Sequence, residues 1–362
     1  MKPQFKLIVF ITLLPGLMLA LNDPMGGKHT KEKKIERSFD VSKNAQLKID
    51  NRFGNVDITT WNQNKIEITV IVTTNGNNEQ EVQRRLDEIT IEFSGSKSQV
   101  TAQTKIGSSR SSWSFFGNRS DNVNMKINYS VKMPVANSLD LRNDYGAINL
   151  NKINGDAKVT CNYGTFIIGE LLGGNNTLNF DYTTNATIGK AKNVTINADY
   201  SEFVLNEGDN VTFKGNYTRS EFKEITSSLE FEGSYGRLTV GKAKNFNGKT
   251  RYVTSNFGSI SNNFGMQSNY GKITVDMLEK SMNNVVITAR YTNIDIGYSS
   301  GASFDLSTKL SYANLRADDN IEFTLRSIHN TRSEYEGFYG KRNSGKNIQI
   351  SSDYGNVRLQ KK

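Results

Sequence analysis

Across residues 38–134 apolar and polar side chains alternate with the period of a strand, and the runs predict strands at 46–50, 56–60, 65–73, 88–94, 99–104 and 124–133. One stretch changes period. Behind Asn78, a residue type that caps helices, Val82, Leu86 and Ile89 fall at i, i+4 and i+7 and predict a single short amphipathic helix. Past Pro134 no helical spacing survives, and a repeat takes over.

The repeat is written in tyrosines. Tyr145, Tyr163, Tyr182, Tyr200, Tyr217, Tyr235, Tyr252, Tyr270, Tyr291, Tyr312, Tyr335 and Tyr354 follow one another at gaps of 18, 19, 18, 17, 18, 17, 18, 21, 21, 23 and 19 residues. Asp or Asn precedes seven of the twelve, and Gly, Ala, Ser or Thr follows ten. Apolar residues recur three places after and four places before the tyrosine, as at Ile148, Phe203 and Ile273, and at Leu141, Ile196 and Phe213. An Asx residue before and a small residue after suit a tight turn between two strands. A coil of about 18 residues cannot bury its own core, but stacked coils can, each bonded to the next at about 4.8 Å. The expected architecture is therefore all-β: a right-handed parallel β-helix, or β-solenoid, of about 12 coils over residues 135–362. A β-rich cap containing the one helix, residues 38–134, precedes it.

Strand parity points the tyrosine rings inward, as a stacked ladder filling one corner. An exposed aromatic strip for sugar stacking is the alternative. Cys161 stands where other coils have Ala198, Gly215 or Ala289, so it reads as a small core residue.

The segment from Asn51 to Trp61 (NRFGNVDITTW), followed by Lys65-Ile66-Glu67-Ile68, resembles the opening of the bacterial "putative adhesin" β-solenoid family, which includes proteins described as auto-transporter adhesin head-domain-like. The resemblance spans about residues 39–359. It implies an exported β-helix with Asx-aromatic-Gly turns, and it carries no ligand or catalytic residues to transfer. Thr, Ser or Val after several turn tyrosines departs from the family's Gly.

Composition narrows the function. Lys2 and Lys6 ahead of an apolar run at 7–21 predict a signal peptide over residues 1–21 and an exported protein, in the periplasm, on the outer surface or secreted. The polar, lysine-rich residues 22–37 read as a flexible leader. One cysteine and two histidines, His29 and His329, point away from a disulfide framework, a multi-cysteine zinc site or a His-driven triad, so no cofactor and no metal is expected. Lys and Arg number 45 against 36 Asp and Glu, a formal charge of +9.

Three groups of residues are candidates for chemistry. Asp181 and Asp199, on neighbouring coils, could stand about 5 Å apart, the separation retaining glycosidases use, but Asn162 and Asn216 in the same column argue for turn capping. Lys190 and Lys192 recur as Lys242 and Lys244 in a repeated GKAKN, forming a basic strip for acidic polysaccharide or lipopolysaccharide. The segment at 107–122 sets Trp113, Phe115 and Phe116 beside Arg110 and Arg119, a composition suited to a binding tip. The expected function is a non-enzymatic adhesin that binds an envelope or extracellular polymer or a surface protein. Nucleic acid is not an expected partner, nor is a stable membrane span once the signal is removed. A β-helical polysaccharide lyase or hydrolase and a structural envelope protein are the alternatives.

Overall fold

A computed structural model describes residues 25–107 and 123–362. The strands are β1 (His29–Asp40), β2 (Gln46–Arg52), β3 (Val56–Trp61), β4 (Lys65–Gly76), β5 (Ile89–Gly95), β6 (Gln99–Ile106), β7 (Asn124–Pro134), β8 (Ser138–Asp144), β9 (Ala147–Ile153), β10 (Ala157–Asn162) and β11 (Thr165–Leu171). They continue as β12 (Asn176–Asp181), β13 (Ala186–Asp199), β14 (Glu202–Asn216), β15 (Arg219–Leu278), β16 (Asn284–Tyr298), β17 (Phe304–Ser311), β18 (Leu315–Ala317), β19 (Glu322–His329), β20 (Arg332–Tyr339), β21 (Asn347–Asp353) and β22 (Val357–Lys361). The helix α1 (Glu79–Glu88) begins as its sequence predicts. Asn78 accepts the backbone N–H groups of Gln80 and Glu81, and Val82 and Leu86 are buried.

Two compact units divide the chain between Ile167 and Ile168. In the first, β8 pairs in parallel with β2 and with β10, and β3 with β7 and β9. Antiparallel pairs join them: β4 lies against β7, β1 against β4, and β5 against β6. The pairing is thus mixed in the stretch read as a cap, and antiparallel pairing also enters the stretch expected to be purely parallel, at β20. Within residues 22–37, the described residues depart from the flexible leader their composition suggested. From His29 onward they form β1, which pairs along its whole length with β4, His29 opposite Gly76 and Asp40 opposite Lys65. Polar side chains do not prevent this, because strand pairing uses the backbone and an edge strand shows one face to water. Lys33 on β1 donates to the carbonyls of Leu86 and Ile89 at the end of α1, and its burial there holds its ammonium below the usual lysine range.

The second unit runs in parallel register from β12 through β13, β14 and β15 to β16. Ile196, for example, sits opposite Leu178 on one side and Phe213 on the other. Inward aromatic residues pack together in the core: Phe213 stacks on Phe231 at 4.7 Å and Phe246 on Phe264 at 5.3 Å, while Phe257 meets Phe246 edge-on at 4.6 Å. At its far end the order of strands departs from the order of the chain. β21 pairs in parallel with β16 on one side and with β17 on the other, and β22 does the same between β16 and β18. The last strands of the chain are therefore inserted ahead of β17 and β18. β20 pairs antiparallel with β17 and with β19. Tyr335 falls on β20, outside the tyrosine register that its spacing suggested. Glu334 and Glu336 flank it, and neither is a turn former.

Candidate functional site

Most of the recurring tyrosines lie in the left-handed region of the backbone. Eleven tyrosines, from Tyr145 (φ 61°) to Tyr354 (φ 56°), and Phe53 (φ 60°) share it. The Tyr N–H then reaches the carbonyl of the adjacent coil, as Tyr200 N to Asn216 O at 3.0 Å and Tyr217 N to Ser234 O at 2.8 Å. The glycine that often follows packs closely against backbone. A Cβ on Gly146 would lie 1.9 Å from the Gly54 carbonyl oxygen, and one on Gly355 would lie 2.0 Å from that of Thr292. Where Thr or Ser replaces Gly, the hydroxyl bonds to the turn: Thr218 Oγ1 donates to Ala198 O at 2.8 Å and Ser201 Oγ donates to Asp199 O at 2.8 Å.

The left-handed residue also interrupts the strand alternation, so parity does not carry through the corner. The rings consequently do not point inward; they stack along the surface, half exposed, with Tyr182 at 49%, Tyr252 at 40% and Tyr312 at 58%. In the second unit the stack runs through Tyr182, Tyr200, Tyr217, Tyr235, Tyr252, Tyr270, Tyr291, Tyr354 and Tyr312, with centroids 4.7–5.0 Å apart and planes within 13° of parallel. In the first unit Phe53, Tyr145 and Tyr163 stack at 5.2 and 5.1 Å. Sequence reasoning missed Phe53 as a ladder residue, although Asn51-Arg52-Phe53-Gly54 places an aromatic before Gly in the same kind of turn. Both faces of every interior ring are covered by its neighbours, so what reaches water is the ring edge and the hydroxyl.

The carboxylates ahead of the rings are occupied by the turns. Asp181 Oδ1 accepts the Asp199 N–H at 3.2 Å, and Asp199 Oδ1 accepts the Asn216 N–H at 2.6 Å and its side-chain amide at 3.1 Å. Asp144, nearly buried, takes Arg142 at 3.0 Å, Arg52 at 3.5 Å and the Asn162 amide at 2.9 Å. These contacts are those of turn caps. Asparagines also bond one another between paired strands, as where Asn197 donates to Asn179 and Asn210 to Asn193. Cys161 is buried, its Sγ 3.7 Å from the Thr165 carbonyl oxygen.

The lysine strip is partly neutralised. Lys190 bonds Glu207 on the neighbouring strand at 2.6 Å, and that hydrogen bond and charge raise its ammonium above the usual lysine range. Lys242 and Lys244 border a shallow groove with Glu224 and Glu279. Lys192 lies on the same strand as Lys190, β13. Arg110, Trp113, Phe115, Phe116 and Arg119, like the predicted signal peptide, lie outside the described residues. Among the described residues no cluster of three metal-ligating side chains occurs, and no helix is long and apolar enough to cross a membrane.

No family model matches this chain, and no curated protein matches it significantly. Among solved structures it resembles a putative adhesin from Parabacteroides distasonis, at 11% identity and a TM-score of 0.31, over 93% of this chain and 98% of the other. A putative cell adhesion protein from Clostridium sporogenes aligns at 12% identity and a TM-score of 0.21, over 92% and 100%. A putative lipid binding protein from Parabacteroides distasonis aligns at 9% and 0.24, over 90% and 96%. At these values the likeness carries no argument about this chain.

Proposed function

We propose that the chain is an exported, non-enzymatic adhesin built as a right-handed parallel β-helix, and that it attaches to an envelope or extracellular polymer through its tyrosine ladder. The carrying observation is the tyrosine that recurs at eleven left-handed corners. That backbone costs a non-glycine residue roughly 1–2 kcal/mol, and Gly or Asn would occupy it at less cost. Stacking returns about 0.5–1.5 kcal/mol per pair, so stability alone leaves the choice near break-even. Repeated backbone strain that is not needed for stability supports a functional reading. The product is a rigid comb of edges and hydroxyls at the strand spacing, suited to a regular, extended ligand.

The test is a glycan array of neutral and acidic polysaccharides and lipopolysaccharide, with chromatography of the eluate for cleavage products. The expected result is retention without cleavage, lost when Tyr235→Asn and Tyr252→Asn are combined while the circular dichroism spectrum is unchanged. Retention that survives loss of the rings, or release of shortened products, overturns the reading.

A further inference from the structure

Around four successive rings the ladder carries a second pattern. Tyr235, Tyr252, Tyr270 and Tyr291 stack in that order at 4.9, 4.8 and 4.9 Å. Each of their coils presents one exposed cation beside the ring, on alternating sides: Arg237 two places after its tyrosine, Arg251 just before, Lys272 two places after, Arg290 just before. The guanidinium groups of Arg251 and Arg290 each lie 5.5 Å from the centroid of the following ring, so their charge sits on the ladder itself.

Among the described residues these four make no ion pair. The cations near the preceding coils do: Arg219 with Glu202 at 3.3 Å and Lys214 with Glu232 at 3.7 Å. Arg251 and Arg290 also stand in the column that Asp199 and Asn216 use to cap turns, so these two coils give up a cap for a charge. Asp353, opposite Arg290 in the register, ends the basic stretch.

We propose that Arg237, Arg251, Lys272 and Arg290, together with the edges and hydroxyls of Tyr235–Tyr291, form a binding site for a linear acidic polysaccharide lying along the ladder. This rests on the reading of the tyrosine strip as the attachment surface. On each side the cations recur at every second ring of the stack, about 10 Å apart. The screening length at physiological salt is about 8 Å, so each cation acts mainly on the ligand group in direct contact with it, and the row offers a series of separate anion contacts. A chain bearing carboxylates or sulfates at regular intervals meets a cation on one side and then the other, while its hydroxyls meet phenol oxygens. The geometry favours sugar over nucleic acid, because base recognition on single strands uses open aromatic faces and these faces are covered.

The experiment measures binding of the full chain to immobilised polygalacturonate, to neutral dextran and to a single-stranded DNA oligonucleotide. One variant combines Arg237→Gln, Arg251→Gln, Lys272→Gln and Arg290→Gln; a charge-matched control combines Lys28→Gln, Lys43→Gln, Lys97→Gln and Lys158→Gln. We expect polygalacturonate to bind the wild type well above dextran and DNA. Its affinity should fall at least about tenfold in the ladder variant and less than about twofold in the control, with equal melting temperatures. Equal loss in both variants, or tighter binding of DNA, overturns the site. So does loss on changing Lys190, Lys192, Lys242 and Lys244 to Gln while the ladder variant binds fully. Equal binding of dextran and polygalacturonate, abolished by Tyr235→Asn with Tyr252→Asn, overturns the anionic ligand and leaves the tyrosine strip standing. Polygalacturonate binding that is indifferent to those tyrosines but lost with the four cations overturns the strip itself.

Discussion

Tyr354 stacks on Tyr291 at 4.8 Å, although the tyrosine of the next coil along the chain is Tyr312. Tyr312 lies on the other face of Tyr354, also at 4.8 Å. The end of the chain is thereby a structural member of the ladder: β21 and β22 lie in register between β16 on one side and β17 and β18 on the other.

That insertion predicts an outsized effect at the C-terminus. Ile350 is 3% exposed and flanked by Ile287 on one side and Thr308 on the other. Ile350→Asp places an unpaired charge between two strands and should cost at least about 3 kcal/mol in urea unfolding. A change on the exposed face of the same strand, Gln349→Asp, should stay within about 0.5 kcal/mol. Equal effects would show that β21 does not occupy this place.

The corner chemistry predicts an inversion of the usual order of severity. Tyr217→Asn removes two stacked contacts but relieves backbone strain, and should shift stability by no more than about 1 kcal/mol. Gly355→Ala adds one methyl group, yet that carbon would lie 2.0 Å from the Thr292 carbonyl oxygen. It should destabilise by more than about 2 kcal/mol, because backbone must move. Thermal melts of the two variants decide the order.

A buried network in the first unit predicts a pH dependence. Thr104 donates to Asn51 Oδ1 at 2.9 Å, so the Tyr129 phenol, 2.8 Å from Thr104, is the donor of that pair. Asn51 in turn donates to Asn143, which donates to the Gly54 carbonyl. Burial pushes the Tyr129 phenol well above the usual tyrosine range. Above about pH 10 an unfolded tyrosine loses its proton while Tyr129 keeps its own. The folded state then binds more protons, and its stability falls as pH rises, by up to about 1.4 kcal/mol per pH unit. Tyr129→Phe should remove that part of the alkaline slope. An identical slope between pH 10 and 11 in both proteins refutes the assignment.

Tyr298 offers the opposite case. Its ring is fully buried, edge-on to Phe304 at 5.1 Å, and its hydroxyl has no hydrogen-bond partner among the described residues. Tyr298→Phe keeps the ring and removes an unsatisfied group, and should leave the protein as stable or up to about 1 kcal/mol more stable. A loss above 1 kcal/mol would show that the hydroxyl is bonded in solution.

The local elements were legible in the residues themselves, because each rests on neighbours in sequence. Asn78 with Val82 and Leu86 specifies the helix, strict alternation specifies the early strands, and Asx-Tyr-Gly marks the corners. The direction of the rings was not legible. Alternation predicts facing only while the backbone stays extended, and one left-handed residue per coil resets it, turning an expected core ladder into a surface strip. Nor could spacing order the last coils. Tyr312 and Tyr354 carry equivalent turns, and only pairing across distant strands decides which of them meets Tyr291. The charge pattern around Tyr235–Tyr291 was hidden for the same reason. Arg237, Arg251, Lys272 and Arg290 are scattered in the chain, and they become one alternating track only when coils of unequal length are brought into register by their hydrogen bonds.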